Sequence, residues 1–527
     1  MSARVEPSGS ASSHSVPATP QPDSRRNATY GQILKSSALI GGSSVVNIGL
    51  SIVRTKAMAL LLGPGGVGLL GIYSSIADLV RTIAGMGINS SGVRQIAEAE
   101  GTGDTERIAR TVTTLRRIAL LLGILGALVM VALCLPISRL SFGDDRHVVA
   151  IACLSLAVLF GGVSGGQLAL VQGMRRIGDL ARANVLGAFC GLLVAIPVIY
   201  FLRKEGIVPS LVAVAAMGIA VSWWYSRKIV VEHVAMKWAE VSTEILALLK
   251  LGFVFMASGF LMIGVGYLVR IIVLRKMGEE AAGYYQSAWA LGGLYVGFIL
   301  QAMGADFYPR LTATAQDNHE CNRLVNEQLE VGLLMAGPGV IGTLTMAHWV
   351  ILVFYSAKFG PAVEILRWIC LGMMLRVVSW SMGFILLAKG ARRPFLWSDI
   401  VTNAIQVGLV WICVALFGLK GTGIAFCGGY VFHCGLIYAI VRSLSGFRAS
   451  RANKQIATLY GLLVMLVFVA EYLLPRPLMI VGGAGITLVT GIYSLKKLCT
   501  LISLESLPRL AQRLIGLLRL APPPGPG

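Results

Sequence analysis

Charge is scarce in this sequence. Only 13% of the 527 residues are Asp, Glu, Lys or Arg against 56% hydrophobic ones, and a water-soluble globule cannot hide that much apolar surface. Acidic residues are the rarer kind: 25 Asp and Glu stand against 45 Lys and Arg, a formal charge of +20. A nucleic-acid-binding protein gathers such an excess on one face of a soluble fold. Here it is divided among many short loops, which argues against a nucleic-acid partner and for anionic lipid headgroups.

Paired cysteine and metal motifs are missing too. The nine Cys show no CxxC spacing. Cys134, Cys153, Cys190, Cys370, Cys413, Cys427 and Cys434 lie in apolar runs and read as buried small hydrophobes. The six His are dispersed, and Asp144-Asp145-Arg146-His147 reads as an outward loop. Gly63-Pro64-Gly65-Gly66 lacks the Lys-Ser/Thr of a nucleotide phosphate loop and reads as a tight turn. The sequence thus offers no enzyme, cofactor or metal signature. Residues 1–29 are Ser/Pro-rich and lack the apolar core of a signal peptide, so they are expected to form a disordered cytoplasmic tail.

What the chain does have is a succession of apolar blocks. Crossing roughly 30 Å of hydrocarbon takes about 20 helical residues. On that measure spans are expected near 33–52, 66–87, 114–136, 148–171, 183–201, 208–225, 251–272, 284–305, 331–355, 363–388, 397–417, 422–441, 456–473 and 478–494. The expected fold is an all-α polytopic membrane protein of about 14 transmembrane helices. Basic groups such as Arg107, Arg110, Arg116 and Arg117, or Lys389, Arg392 and Arg393, sit in alternate loops and put both termini in the cytoplasm. Soluble connections are too short for domains. The connection at about 88–113 contains EAEGTGDTERIARTVTTLRR, which reads as a short amphipathic helix after a Gly turn, capped by Asp104 or Thr105, and 499–520 reads as an interfacial helix carrying Arg509, Arg513 and Arg519.

An internal repeat emerges about 215 residues apart. Lys35 to Tyr73 and Lys250 to Gln286 share a frame: Lys35/Lys250, Val53-Arg54/Val269-Arg270, Gly63/Gly278 and Gly68/Gly283. Spans 1 and 7 enter from the same side, so the two halves are parallel repeats about an axis along the membrane normal. The chain then divides into the tail 1–29, a lobe of spans 1–6 (30–226), a lobe of spans 7–12 (227–445), spans 13–14 (446–498) and an amphipathic cytoplasmic tail (499–527).

Ionisable groups inside spans are costly and usually face a wet cavity or a partner. Arg54 and Arg270, at matched places in the repeat, are the leading candidates to face a central cavity. Two guanidiniums suit an anion with several oxygens, such as a pyrophosphate; the competing reading has them snorkelling to headgroups. Arg81 follows Asp78 by three residues on one helical face, in position for an ion pair. Arg376 in span 10, with Trp380 four residues on, is a further cavity candidate or a helix-packing contact. Asn47, Ser43, Ser44, Ser51, Ser74, Ser75 and Ser258 would line a polar path or simply allow close helix packing. Asp78 and Asn47 are the cavity-supporting candidates.

These segments resemble a known group. GQILKSSALIGGSSVVNIGLSIVRTKAMALLLGPGGVGLLGIYSSI at 31–76, GINSSGVRQIAEAEG at 87–101 and GYYQSAWALGGLYVGFILQAMGADFYPRLTA at 283–313 are similar to the O-antigen and enterobacterial-common-antigen flippases of the polysaccharide transporter family, in the superfamily that includes multidrug extruders and lipid II flippases. The resemblance implies a V-shaped, two-lobed fold of twelve core spans, often with two more. It implies transport of an undecaprenyl-pyrophosphate-linked oligosaccharide from the inner to the outer leaflet of the bacterial cytoplasmic membrane, by alternating access and without a cofactor. Delivery to glycan polymerase machinery would go with that role, and the driving force stays open between H+, Na+ and the membrane potential alone, since Asp78 is the one acidic residue that stands out within the spans. Arg54 matches the arginine of an Arg-Asp pair in the related lipid II flippases, while Thr55 stands where their Asp would be. A drug exporter and a non-transporting scaffold for glycan enzymes are the alternatives; a basic cavity opposes the first and is superfluous to the second.

Overall fold

The computed structural model describes residues 22–231 and 238–501, and they are helical almost throughout. The first seven helices are α1 (Pro22–Gly85), α2 (Ile88–Thr102), α3 (Thr105–Ala132), α4 (Cys134–Ser141), α5 (Val148–Gly173), α6 (Ile177–Leu202) and α7 (Ile207–Ser226). Seven more follow: α8 (Trp238–Met277), α9 (Glu279–Ala313), α10 (Asn318–Thr345), α11 (Ala347–Phe354), α12 (Ala362–Ala388), α13 (Arg392–Phe417) and α14 (Gly421–Ser445). The last two are α15 (Arg451–Leu473) and α16 (Arg476–Leu501). Helices suit a chain of this composition because lipid offers the backbone no hydrogen bonds, so each amide must be satisfied within its own segment.

The protein is an all-α polytopic membrane protein. Among the described residues eight helical stretches are long and apolar enough to cross a membrane, nine if the bent pair α10–α11 counts as one. Their outward faces are apolar: Leu121, Leu125 and Leu128 on α3, Leu462 and Leu466 on α15, and Val481 and Leu488 on α16 are all exposed. In water this surface would drive aggregation; in a bilayer it is the lipid contact. Small polar groups turn inward instead, among them Ser91, Thr111 and Thr114, all 1% exposed or less.

Three expectations need correction. The stretch 331–355 is not one straight span: α10 and α11 meet at 79° across Met346. Likewise 114–136 is interrupted at Leu133, where α3 ends and α4 begins. In both cases a single residue leaves helical geometry for the bridge region, Leu133 at φ −97°, ψ 8° and Met346 at φ −95°, ψ 14°. Finally, the segment after Gly103 is no separate amphipathic helix. Asp104 does cap it, accepting from the Arg107 amide at 2.9 Å, but the helix runs unbroken into α3 because nothing between Thr105 and Ala132 stops it. The amphipathic segment is α2, which precedes the glycine. The interfacial helix expected at 499–520 lies, beyond Leu501, outside the described residues, as do the side chain of Ser258 and the first 21 positions.

The sequence repeat recurs in the backbone. Gly63 (φ 66°, ψ −172°) and Gly278 (φ 87°, ψ 179°) adopt one rare conformation open essentially to glycine alone, and each breaks the chain between two long helical segments. Arg203 (φ 51°, ψ −128°) matches Gly418 (φ 62°, ψ −140°), and Arg175 (φ 53°) matches Gly390 (φ 65°), all at a spacing of 215 positions. The kinks at Leu133 and Met346 fall two residues short of that spacing.

The matched turns also touch. A Cβ on Gly283 would stand 1.9 Å from the Pro64 carbonyl oxygen, and one on Gly68 2.4 Å from that of Glu279, so only glycine allows the α1 and α9 backbones to meet. Gly87, just past the end of α1, and Gly252 of α8 meet as closely, a Gly87 Cβ falling 2.1 Å from the Gly252 carbonyl oxygen. Helices α15 and α16 lie against α10, where the fully buried Tyr460 ring covers Gly337 and its hydroxyl bonds Ser494. A buried ion pair between Arg367 and Glu471 fastens α15 to α12.

Candidate functional site

Two adjoining chambers open between the close approaches. The smaller, about 340 Å³, is walled by α1, α8 and α9, with Tyr355 closing one side. Arg54 and Arg270 both line it, together with Asp78, Ser51, Ser74, Ser75 and Gln286. The matched arginines of the repeat therefore converge, although they lie on helices 216 positions apart in sequence.

They are held differently. Arg270 donates from Nε to Gln286 Oε1 at 2.8 Å and from Nη1 to the Gly266 carbonyl at 2.9 Å, which fixes the plane of its fork and leaves Nη2 without a hydrogen-bond partner among the described residues. Gln286 can reach it because the position opposite is Gly71: a Cβ there would lie 3.0 Å from the Gln286 amide. Arg54 has no hydrogen bond or ion pair among the described residues, and burial in a low-dielectric wall makes an unpartnered guanidinium expensive unless water or an anion meets it.

Asp78 faces the same space but spends its charge locally. Arg81 donates to it from Nη2 at 2.7 Å, as the three-residue spacing predicts, and the two side chains are half exposed at 51% and 47%. Two guanidiniums thus face one already paired carboxylate, and the chamber is net positive. Arg81 itself lines neither chamber; its guanidinium stem lies against Gly161 of α5. Asn47 is also absent from both walls, and its Oδ1 is buried without a hydrogen-bond partner among the described residues.

The larger chamber, about 660 Å³, shares Ser75, Asp78 and Arg270 with the first and is otherwise walled by α8, α9, α12, α13 and α14. Arg376 lines it, with no ion-pair partner among the described residues. So does a set that sequence reasoning missed: Asp399, Thr402, Asn403 and Gln406, one polar stripe along α13. Their spacing of three, four and seven residues from Asp399 is a helix face, and a polar face inside the span expected at 397–417 was the signal that would have exposed them. Glu471, the buried partner of Arg367, was overlooked for the same reason: it sits at the edge of an apolar run.

Residues 57–364 match the model of a family described as polysaccharide biosynthesis protein. The sequence is similar to the Lipid III flippase of Escherichia coli (strain K12), 23% identical over 418 residues that cover 77% of this chain and 97% of that protein, and equally to the Lipid III flippase of Shigella flexneri. In fold it is similar to the Lipid II flippase MurJ in an inward closed conformation, with a TM-score of 0.66 at 14% identity over 86% of this chain and 96% of that one. A multidrug resistance MATE family transporter of the MOP superfamily, inward-facing, gives 0.65 at 17% identity over 77% and 95%.

Proposed function

The chain belongs to the polysaccharide biosynthesis protein family, and from that premise we propose that it is a flippase for lipid-linked oligosaccharides. It is a multi-pass inner-membrane transporter serving polysaccharide and O-antigen biosynthesis, not a catalytic enzyme. The observation that carries the reading is the convergence of Arg54 and Arg270 on one chamber between the repeat-related turns. A forked donor from each half suits the pyrophosphate that joins an undecaprenyl tail to its glycan. Arg376 in the neighbouring chamber and Arg81, through Asp78, add to the positive field.

The architecture we infer is two lobes, 30–226 and 227–445, arranged as a V, with spans 13–14 at 446–498 packed on the second. Fourteen spans follow if the stretches Gly42–Gly85, Ile177–Ser226 and Arg392–Ser445, of 44, 50 and 54 residues, each cross twice and α8 and α9 cross once. Basic residues in alternate loops put both termini in the cytoplasm. In this frame the Pro64/Gly283 contact closes the outer end of the chambers and the Gly87/Gly252 contact the inner end. Rocking of the lobes parts one and then the other, while the polyprenyl tail stays in lipid. The chamber spares the glycan the cost of stripping its water in hydrocarbon. A H+ or Na+ gradient, or the membrane potential alone, would drive the cycle, and the glycan would pass to polymerase machinery at the outer face.

A membrane-impermeant glycan probe on vesicles of known orientation tests this. Deleting the protein should trap lipid-linked oligosaccharide on the inner leaflet. Unchanged outward labelling after deletion, in cells shown to lack a second carrier, overturns the assignment.

A further inference from the structure

The larger chamber has a composition of its own. We infer that it is the glycan subsite, the smaller chamber holding the diphosphate, with Arg270 on the wall between them. This rests on the flippase reading and assigns the two parts of one substrate to two walls.

Three features of the chambers carry it. First, the α13 stripe has unspent hydrogen-bonding capacity: Asp399, Asn403 and Gln406 have no hydrogen-bond or ion-pair partner among the described residues, while Thr402 is engaged with His433 Nδ1 at 3.0 Å. Side chains of this kind are not kept unpaired inside a membrane without water or a ligand to meet them. Second, the same chamber is lined with aromatic rings. Trp289 and Tyr430 line the same space, braced by Phe426, which packs against Trp289 at 5.4 Å and Tyr430 at 4.8 Å between ring centroids. Amide and carboxylate groups facing aromatic rings are the complement of a pyranose, whose hydroxyl edge seeks donors and acceptors and whose C–H face seeks a ring. A diphosphate has no use for rings, and here Asp399 stands against Arg270 and Arg376, so this chamber is less positive than the first.

Third, the two chambers differ in size in the right sense. The diphosphate space is about 340 Å³ and the glycan space about 660 Å³, and they meet at Arg270, so a substrate threads from one to the other without leaving the protein. Gln406 lies over Gly429, where any Cβ would fall 1.9 Å from its Oε1, so α14 has been kept bare to seat that amide.

The test compares two probes on the full-length protein in lipid nanodiscs: polyprenyl diphosphate without sugar, and a panel of polyprenyl-diphosphate-linked monosaccharides. Wild type is expected to bind at least one glycosylated probe roughly tenfold more tightly than the bare diphosphate. Asn403→Ala/Gln406→Ala should remove that gain, so that the two kinds of probe bind alike. Arg54→Ala should weaken both by the same factor. If the double variant melts early, Asn403→Leu alone replaces it, because an apolar substitution on a membrane helix removes no packing. Bare diphosphate that binds wild type with no gain from any sugar overturns the subsite and leaves the flippase reading standing. If neither probe binds, the flippase reading fails first. A double variant that keeps its preference for sugar, but loses a Na+ or H+ dependence of binding, overturns the proposal in favour of a cation site.

Discussion

The two halves of this molecule carry one backbone frame and two different side-chain solutions. Where the second half places Gly390 and Gly418 at positive φ, the first places Arg175 and Arg203 in the same conformations. A non-glycine residue accepts such a geometry only when the surrounding helices over-determine it, so the turns are dictated by packing and not by local preference. The arginines of the chamber differ in the opposite sense. Arg270 is clamped by Gln286 and the Gly266 carbonyl, while Arg54 has no partner among the described residues. The duplication also slips here: Arg54 precedes its turn glycine by nine positions and Arg270 by eight, a rotation of about 100° around the helix axis. Fixed and free arginines facing one space suggest a division of labour, one orienting the anion and the other following it.

That contrast can be broken at five points, in decreasing order of effect. Arg270→Ala, at normal membrane abundance, should lower the initial rate of outward glycan labelling by roughly 10- to 100-fold, the loss of a charge-assisted contact worth about 1.5–3 kcal/mol. Arg270→Lys should be nearly as damaging because a lysine cannot reproduce the clamped fork, whereas Arg54→Lys should keep most of the rate. Equal losses from the two lysine variants would make the arginines equivalent and end the distinction. Gly71→Leu probes the clamp without touching either arginine: its side chain occupies the space of the Gln286 amide, and a rate loss of about tenfold is expected. A Gly71→Leu variant with an unchanged rate would show that Gln286 does not position Arg270.

Smaller effects test the shared frame. Arg175→Gly should raise stability by roughly 0.5–1 kcal/mol and Gly390→Ala should lower it by about 1–2 kcal/mol, read as opposite shifts of the melting temperature in detergent. Space around Gly390 is open, so the second change isolates the backbone cost. Shifts of the same sign would mean that the matched turns are not held alike. Least of all, Lys204→Ala should change stability by less than about 0.5 kcal/mol, since its 2.8 Å pair with Glu279 joins the two halves through side chains 59% and 40% exposed. A drop of several degrees would make that surface pair part of the closure.

Much of the fold was legible because its cause is local. Apolar runs of membrane length, Gly63 with Pro64, and the turn glycines Gly63 and Gly278 all act through their own segment of chain. Asp78 with Arg81 was readable for the same reason, being one helical turn apart. The bend at Met346 was not, since no helix breaker stands beside it, whereas that at Leu133 had a local cause that went unread: Pro136 has no amide to bond the carbonyl of Ala132, where α3 ends. Asp399 and Glu471 escaped notice because single acids in apolar runs look incidental until their neighbours on the helix face, or on another helix, are known.

What the amino-acid order determined alone is therefore a helical membrane protein built from a duplicated frame, with arginines set late in the first span of each half. Hydropathy, charge placement and glycine spacing act over one or two helical turns and need no knowledge of the rest. Only the tertiary structure decided that Arg54 and Arg270 face one chamber, that Arg81 stands outside it, and that the α13 stripe opens onto a second. Those facts depend on which helix faces lie together, a property of side-chain packing between segments some 200 residues apart, and no local pattern encodes it.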